Sequence, residues 1–310
     1  MSDFYRQLQK AELHVHLEGS VEPETALELD PGLTLEFVRE KYRHSNFEGF
    51  IQSYIWINRM LKTPADYALI TKRLLERLHS DNVVYAEINL SVGVMLWKNQ
   101  PVAEIFDIVR EQALHSPVQV RWIFDAVRQF GPEPAMQAAQ LAVERRDSGV
   151  IGFGIGGDEP RGPAEMFTGV FAFAKGEGLA VLPHAGETVG PESIWAALRA
   201  GATRIGHGIT AVRDPELMAY LRGNDIPLEI CISSNVCTGA VPSLEAHPVR
   251  RLFDAGVPIT LNTDDPAMFG TTLSREYQLA AESFGFSGNE LKSVADNAFR
   301  YALGYFQGAR

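Results

Sequence analysis

The chain has 310 residues, 45% hydrophobic and 22% charged, with a formal net charge of −11. That composition fits one globular domain spanning 1–310 with a large core, and its acidity argues against a partner that is nucleic acid. No apolar run reaches the roughly 18 residues of a membrane helix, and the first residues lack a basic start followed by an apolar segment. The two cysteines, Cys231 and Cys237, have neither disulfide density nor CxxC spacing, so a cytoplasmic protein with no membrane partner is expected.

Eight short apolar runs rich in β-branched or aromatic residues are the expected strands. They are Ala11–Leu17, Val83–Ser91, Gln119–Val127, Val150–Gly157, Leu179–Glu187, Thr203–Gly208, Pro227–Asn235 and Pro258–Asp265. Helical spacing of apolar residues marks Val102–Ala113, Pro134–Arg145, Pro163–Lys175, Pro191–Arg199, Pro215–Arg222 and His247–Ala255, several of which open with proline. Strands alternating with helices predict parallel pairing. Eight such units predict a (β/α)8 TIM barrel, with extra helices after strand 1 and at the chain ends. More than sixty residues separate Leu17 from Val83, too many for one crossover helix. The segment 45–62 is expected to form an amphipathic helix, packed on the barrel or lying as a lid beside the site mouth.

The chemistry lies at the ends of the strands. His14 and His16 are two apart on a strand, so their side chains share a face. Other strand ends carry His184 and Glu187, then His207, then Asp264 and Asp265. In such a barrel all these ends meet on one face, where active sites sit. Three imidazoles, from His14, His16 and His184, with the carboxylate of Asp264 suit one Zn2+ with a position open for water, whose pKa the ion lowers to about 7. Glu187, three residues past His184, is then free to act as a general acid. His207 and Asp265 are placed to orient or deprotonate the water. Two blander readings stand beside this one. Asp-Asp-Pro at 264–266 is good turn chemistry, and a lone strand histidine is more often structural. His44, His79, His115 and His247 fall in expected helices or loops and carry no functional case. Cys231 and Cys237 read as packing residues.

Gly152–Gly157 contains a formal GxGxxG after a strand, which would suit an NAD-binding oxidoreductase. It is followed by Asp158-Glu159-Pro160-Arg161, a loop with acids where a pyrophosphate would approach, and it belongs to the fourth unit rather than the first. A strand end where something passes close to the backbone is the plainer reading.

The segments HVHLEGS, GDE, HAGE, RIGHGI, SSN and LNTDDP, in this order, resemble the adenosine deaminase family of the amidohydrolase superfamily, over nearly the whole chain. The resemblance implies a TIM barrel with one zinc per chain and hydrolytic loss of ammonia from C6 of a purine. It implies His14, His16, His184 and Asp264 as metal ligands and Glu187 as the acid that protonates N1. His207 would position and help deprotonate the attacking water, Asp265 would contact N7, and the backbone of Gly157 would donate to N3. Glu18 stands where many members have an aspartate that reaches the sugar. Asn89 and Val92 replace the Arg and Pro of a YxExRxSP pattern, and Gly93-Val94-Met95-Leu96-Trp97 is apolar. These departures leave the purine chemistry intact and open the other end of the substrate. Adenosine, deoxyadenosine and 6-aminodeoxyfutalosine, a menaquinone precursor with an aromatic tail, are the expected nucleosides, and free adenine is the alternative.

Overall fold

The structure, a computed structural model, describes residues 3–305. Eight parallel strands follow one another: β1 (Lys10–His16), β2 (Val83–Leu90), β3 (Gln119–Val127), β4 (Val150–Gly156), β5 in two pieces (Ala180–Val181 and His184–Ala185), β6 (Ile205–His207), β7 (Leu228–Ile230) and β8 (Ile259–Leu261). Each pairs with the next, and the sheet is interrupted only between the two pieces of β5. The expected strand Leu179–Glu187 breaks there because Pro183 has no N–H to give. The gap is bridged by single bonds, from Leu182 N–H to the Phe153 carbonyl (3.0 Å) and from Gly206 N–H to the Pro183 carbonyl (3.0 Å).

The barrel closes between β8 and β1. Asp264 N–H donates to the His14 carbonyl at 2.9 Å, and His16 N–H donates to the Asp264 carbonyl at 2.8 Å. Below this rung, Asn262 Oδ1 accepts from Leu13 N–H at 3.0 Å, and the Asn262 amide donates to Thr260 Oγ1 at 2.9 Å.

Two further expectations are corrected. Pro227–Asn235 is a strand only over Leu228–Ile230; Ile232–Cys237 is a short helix, held by Asn235 N–H to the Cys231 carbonyl (3.0 Å). Periodicity could not separate the two, because this short apolar run is buried almost throughout. Pro163–Lys175 begins with a 3-10 turn, Ala164–Phe167, before the α-helix Thr168–Gly176. The extra helices lie where expected. Asp3–Gln7 and Gly288–Tyr301 stand at the two ends, and Pro23–Leu29, Leu35–Lys41, Phe47–Met60 and Pro64–Ser80 follow β1. Thr63 opens the last of these with a capping box, its hydroxyl taking Asp66 N–H while the Asp66 carboxylate takes Thr63 N–H. No helix among the described residues is long and apolar enough to cross a membrane.

Inside the barrel, below the histidines, lies a buried ladder of charge. Arg204 bonds Glu87 on one side and Glu229 on the other, and donates to the Tyr301 carbonyl at 2.8 Å. Glu87 also accepts from Tyr85 O–H (2.9 Å) and from Leu303 N–H. Such charges are tolerated in a dry interior because every one has a partner.

The seam generates a test. Asn262→Leu leaves Leu13 N–H buried without an acceptor, so a loss of about 1–3 kcal/mol is expected. It should appear as a lower urea midpoint at unchanged slope. An unchanged midpoint would mean that this bond contributes nothing to closure.

Candidate active site

His14 and His16 project from one face of β1, as alternation requires, and His184 arrives from β5 and Asp264 from just past β8. The ring centroids of His14 and His184 are 4.6 Å apart, and those of His14 and His16 are 5.3 Å apart. One ligand-type atom from each of His14, His16, His184 and Asp264 falls within 4.8 Å of the other three. Nε2 of His16 lies 3.1 Å from Nε2 of His184, and Asp264 Oδ1 is 3.4 Å from Nε2 of both His14 and His16.

The opposite nitrogens show which way the rings are held. His14 Nδ1 is 2.7 Å from Glu229 Oε2, His184 Nδ1 is 3.0 Å from the Ile155 carbonyl, and His16 Nδ1 faces Asp125 Oδ2 at 3.6 Å. Holding Nδ1 in this way turns Nε2 toward the centre, the arrangement seen around metal-binding histidines. His14 Nε2 is buried without a hydrogen-bond partner. An orphaned nitrogen, two further imidazole nitrogens and a carboxylate within this radius fit a cation of the zinc type.

Around this cluster stand the remaining candidates. Asp264 and His207 both have positive φ, 63° and 62°, a conformation costly for residues with a Cβ. It swings their side chains toward the cluster. Asp264 Oδ2 also accepts from Ser234 O–H at 2.6 Å. Glu187 is buried, with Oε2 3.7 Å from His207 Nε2. Burial, reinforced by the charge of Asp264, pushes the Glu187 carboxyl up to about 8. Burial lowers His207 to about 4 and His16 to about 3, keeping both rings neutral. Asp265 is raised by burial and by Asp264, and its Oδ1 has no hydrogen-bond partner. The glycine of the HLEG segment makes room for it, since a Cβ on Gly19 would stand 1.6 Å from Asp265 Oδ1.

These groups border a cavity of about 200 Å³. Its polar end holds His16, His184, Glu187, His207, Asp125, Asp264, Asp265 and Gly157. The other end is apolar, walled by Phe47, Phe50, Ile51, Tyr54 and Ile55 from the helix Phe47–Met60, with Val94, Val127 and Phe130 opposite. That helix therefore packs on the core through Phe50 and Ile57 and also roofs the cavity. Gly157 has φ of 99°, and a Cβ there would stand 2.4 Å from Gln129 Oε1, so a side chain is doubly unwelcome. Glu18 is not on the cavity surface. It lies behind the wall, accepting from Ser91 N–H (3.1 Å) and Tyr54 O–H (3.4 Å), and the hydroxyls of Tyr54 and Ser91 share a 2.6 Å hydrogen bond.

Several participants carry no weight in the sequence reading. Glu229 and Asp125 were legible only as acids inside apolar strands, a signal in itself. His247, expected to open a helix, instead precedes the helix Val249–Asp254 and is buried with Nε2 3.2 Å from Asn235 Oδ1, and Asn235 Nδ2 is 3.1 Å from His207 Nδ1. The GxGxxG run ends β4 and leads into the 3-10 turn Glu159–Arg161 rather than a long helix. Glu159 there takes the backbone N–H of Gly186, Thr188 and Val189, so the turn after the glycines places a buried carboxylate where a pyrophosphate would approach.

Comparison with known proteins agrees with this geometry. The family model described as Adenosine deaminase matches residues 9–307. The chain is 35% identical to an aminodeoxyfutalosine deaminase of Streptomyces avermitilis, covering 96% of this chain and 87% of that protein. It is also 35% identical to an adenine deaminase of Rhizobium leguminosarum bv. trifolii, covering 96% and 95%. Among solved structures, an amidohydrolase from Burkholderia ambifaria with bound Zn superposes with a TM-score of 0.88 at 26% identity, covering 97% of this chain and 87% of that one. The barrel, the strand-end cluster and these likenesses together make the chain a member of the adenosine deaminase family of the amidohydrolase superfamily, a deaminase that hydrolyses a C–N bond.

Proposed function

We propose that this enzyme removes the 6-amino group of an adenine-containing nucleoside by hydrolysis, using one Zn2+ per chain held by His14, His16, His184 and Asp264. The observation that carries the proposal is the convergence of three imidazole Nε2 atoms and one carboxylate beside a buried carboxyl, Glu187, that favours its protonated form. The donor set and the bound Zn of the Burkholderia relative support zinc as the ion. When bound, it supplies a Lewis acid that makes water ionise near neutral pH.

The chain's own groups do the rest. Glu187 gives its proton to N1, which drains electron density from C6 and makes that carbon electrophilic. Asp265, with an unpartnered oxygen, meets N7, and the Gly157 N–H meets N3, so the ring is fixed at three points. His207 faces the reacting carbon from the side opposite Asn235. The apolar wall takes the substituent on the base. It offers no lysine or arginine to a phosphate among the described lining residues, so a neutral ribose or an aromatic extension suits it better than a nucleotide. Glu18 acts there only through Tyr54 and Ser91. Adenosine, deoxyadenosine and 6-aminodeoxyfutalosine are accordingly the substrates of choice, the last also favoured by the name of the Streptomyces relative. Free adenine is the second reading, favoured by the Rhizobium relative at the same identity.

A panel of adenosine, deoxyadenosine, 6-aminodeoxyfutalosine and adenine, followed by loss of the adenine absorbance, decides between them. A nucleoside is expected to react fastest; turnover of adenine alone would transfer the assignment to the free base. Glu187→Gln should keep its metal and lose about 10²–10⁴-fold in kcat. A nearly normal rate at full metal content would remove Glu187 from the chemistry. Because the acid works only while protonated, kcat should fall as pH rises through its pKa. A bound cation draws that pKa below the value of about 8 set by burial and Asp264, so the alkaline limb is expected at or below that pH. Glu229→Gln removes the charge that holds His14 Nδ1, and zinc affinity measured by chelator competition should weaken about 10–100-fold. Unchanged affinity would mean that His14 is held without it.

A further inference from the structure

We propose that Asn235 and His247 are positioning residues that lock His207 in the tautomer bearing its hydrogen on Nε2, so that His207 gives a hydrogen bond at the reacting face and does not take a proton there. The inference rests on the proposed function only for the meaning of "reacting face"; the lock itself is read from hydrogen bonds.

The chain of bonds has a fixed starting direction. Val249 is the first residue of the helix Val249–Asp254, so its N–H has no partner within the helix. It donates to His247 Nδ1 at 3.2 Å. A backbone N–H can only give, so His247 Nδ1 is an acceptor and the ring hydrogen sits on Nε2. That hydrogen points at Asn235, 3.2 Å away, and the Asn235 atom receiving it has to be the carbonyl oxygen. The Asn235 amide nitrogen is then the atom 3.1 Å from His207 Nδ1, and it too can only give. His207 Nδ1 is therefore an acceptor, and the ring hydrogen is on Nε2, the nitrogen 3.7 Å from Glu187 and 4.0 Å from Asp264.

The reverse orientation fails at its far end. If Nδ1 of His207 carried hydrogen, Asn235 would present its oxygen there and its amide to His247. His247 Nε2 would then be an acceptor, and its Nδ1–H would face the Val249 N–H, hydrogen against hydrogen. All three side chains are buried, so no solvent relieves such a clash. Of the two roles foreseen for His207, orienting the water and deprotonating it, the network supports the first. Asn235 closes the SSN segment, and the short helix Ile232–Cys237 is what carries it under His207.

The test uses the full chain loaded with Zn2+ and labelled with 15N-histidine. Two-bond 15N–1H spectra, with His207 assigned by its loss in His207→Gln, should show a protonated Nε2 and a bare Nδ1. A protonated Nδ1 with a bare Nε2 would overturn the proposal. In Asn235→Asp the new carboxylate faces Nδ1, which should then appear protonated; an unchanged spectrum would mean that Asn235 does not set the tautomer. His247→Leu should lower kcat about tenfold with KM and zinc content unchanged, and His247→Gln, which still donates to Asn235, should recover most of it. Equal loss in both would reduce His247 to a packing role and sink the idea. If no 6-aminopurine is turned over at all, the proposed function fails, while the wild-type spectrum still decides the tautomer.

Discussion

Everything at the site depends on how one residue is held. Asp264 is a rung of the ladder that closes the barrel and also the source of the carboxylate beside the histidines. Its N–H and carbonyl clamp the backbone of His14 and His16, so these two imidazoles and the carboxylate are fixed relative to one another by main-chain bonds rather than by side-chain packing. The positive φ is the cost of serving both ends, since a relaxed strand would aim the side chain elsewhere. A positive φ recurs at His207, at the end of β6. Strain here is borne by the rest of the barrel, whose strands are lined with buried aliphatic side chains.

The acids around the centre divide by their company. Glu229 is held below the usual carboxylate range because Arg204 and His14 outweigh its burial, and Asp264 is likewise lowered against its burial, chiefly by His14. At Glu187, Asp265 and Asp125 burial outweighs the pull of His14 and, for Glu187, of Arg128, and drives each of them up. One small volume thus holds carboxyls pushed toward the charged form and carboxyls pushed toward the neutral form, with no difference in residue type to explain it. Environment alone assigns which can anchor a cation and which can deliver a proton.

Much of this was legible in the chain itself. The alternation in His14-Val15-His16 gives the shared face directly, and eight apolar runs separated by helical spacers give the barrel. Gly157 and the polar strand ends were visible as exceptions to an apolar pattern. What stayed hidden depends on partners far apart in sequence. The break in β5 follows from Pro183, a residue that sequence reading could have weighed more heavily. The turn of Ile232–Cys237 into a helix could not be read, because the run Pro227–Asn235 that enters it is buried almost throughout and shows no period. Glu229 gains its meaning only when Arg204 and His14 are seen on either side of it. His247 looked idle because its one consequence passes through Asn235 to another histidine.

The buried ladder beneath the histidines has an implication for how the molecule is made. His14 bears on Glu229, Glu229 on Arg204, and Arg204 on the carbonyl of Tyr301, while Glu87 reaches Leu303. The first of the proposed ligands to leave the ribosome is thus steadied by peptide groups translated almost last. A nascent chain bearing all three imidazoles still lacks both Asp264 and its floor, so on the proposed metal site capture of an ion would belong to the finished polypeptide and not to its growing precursor.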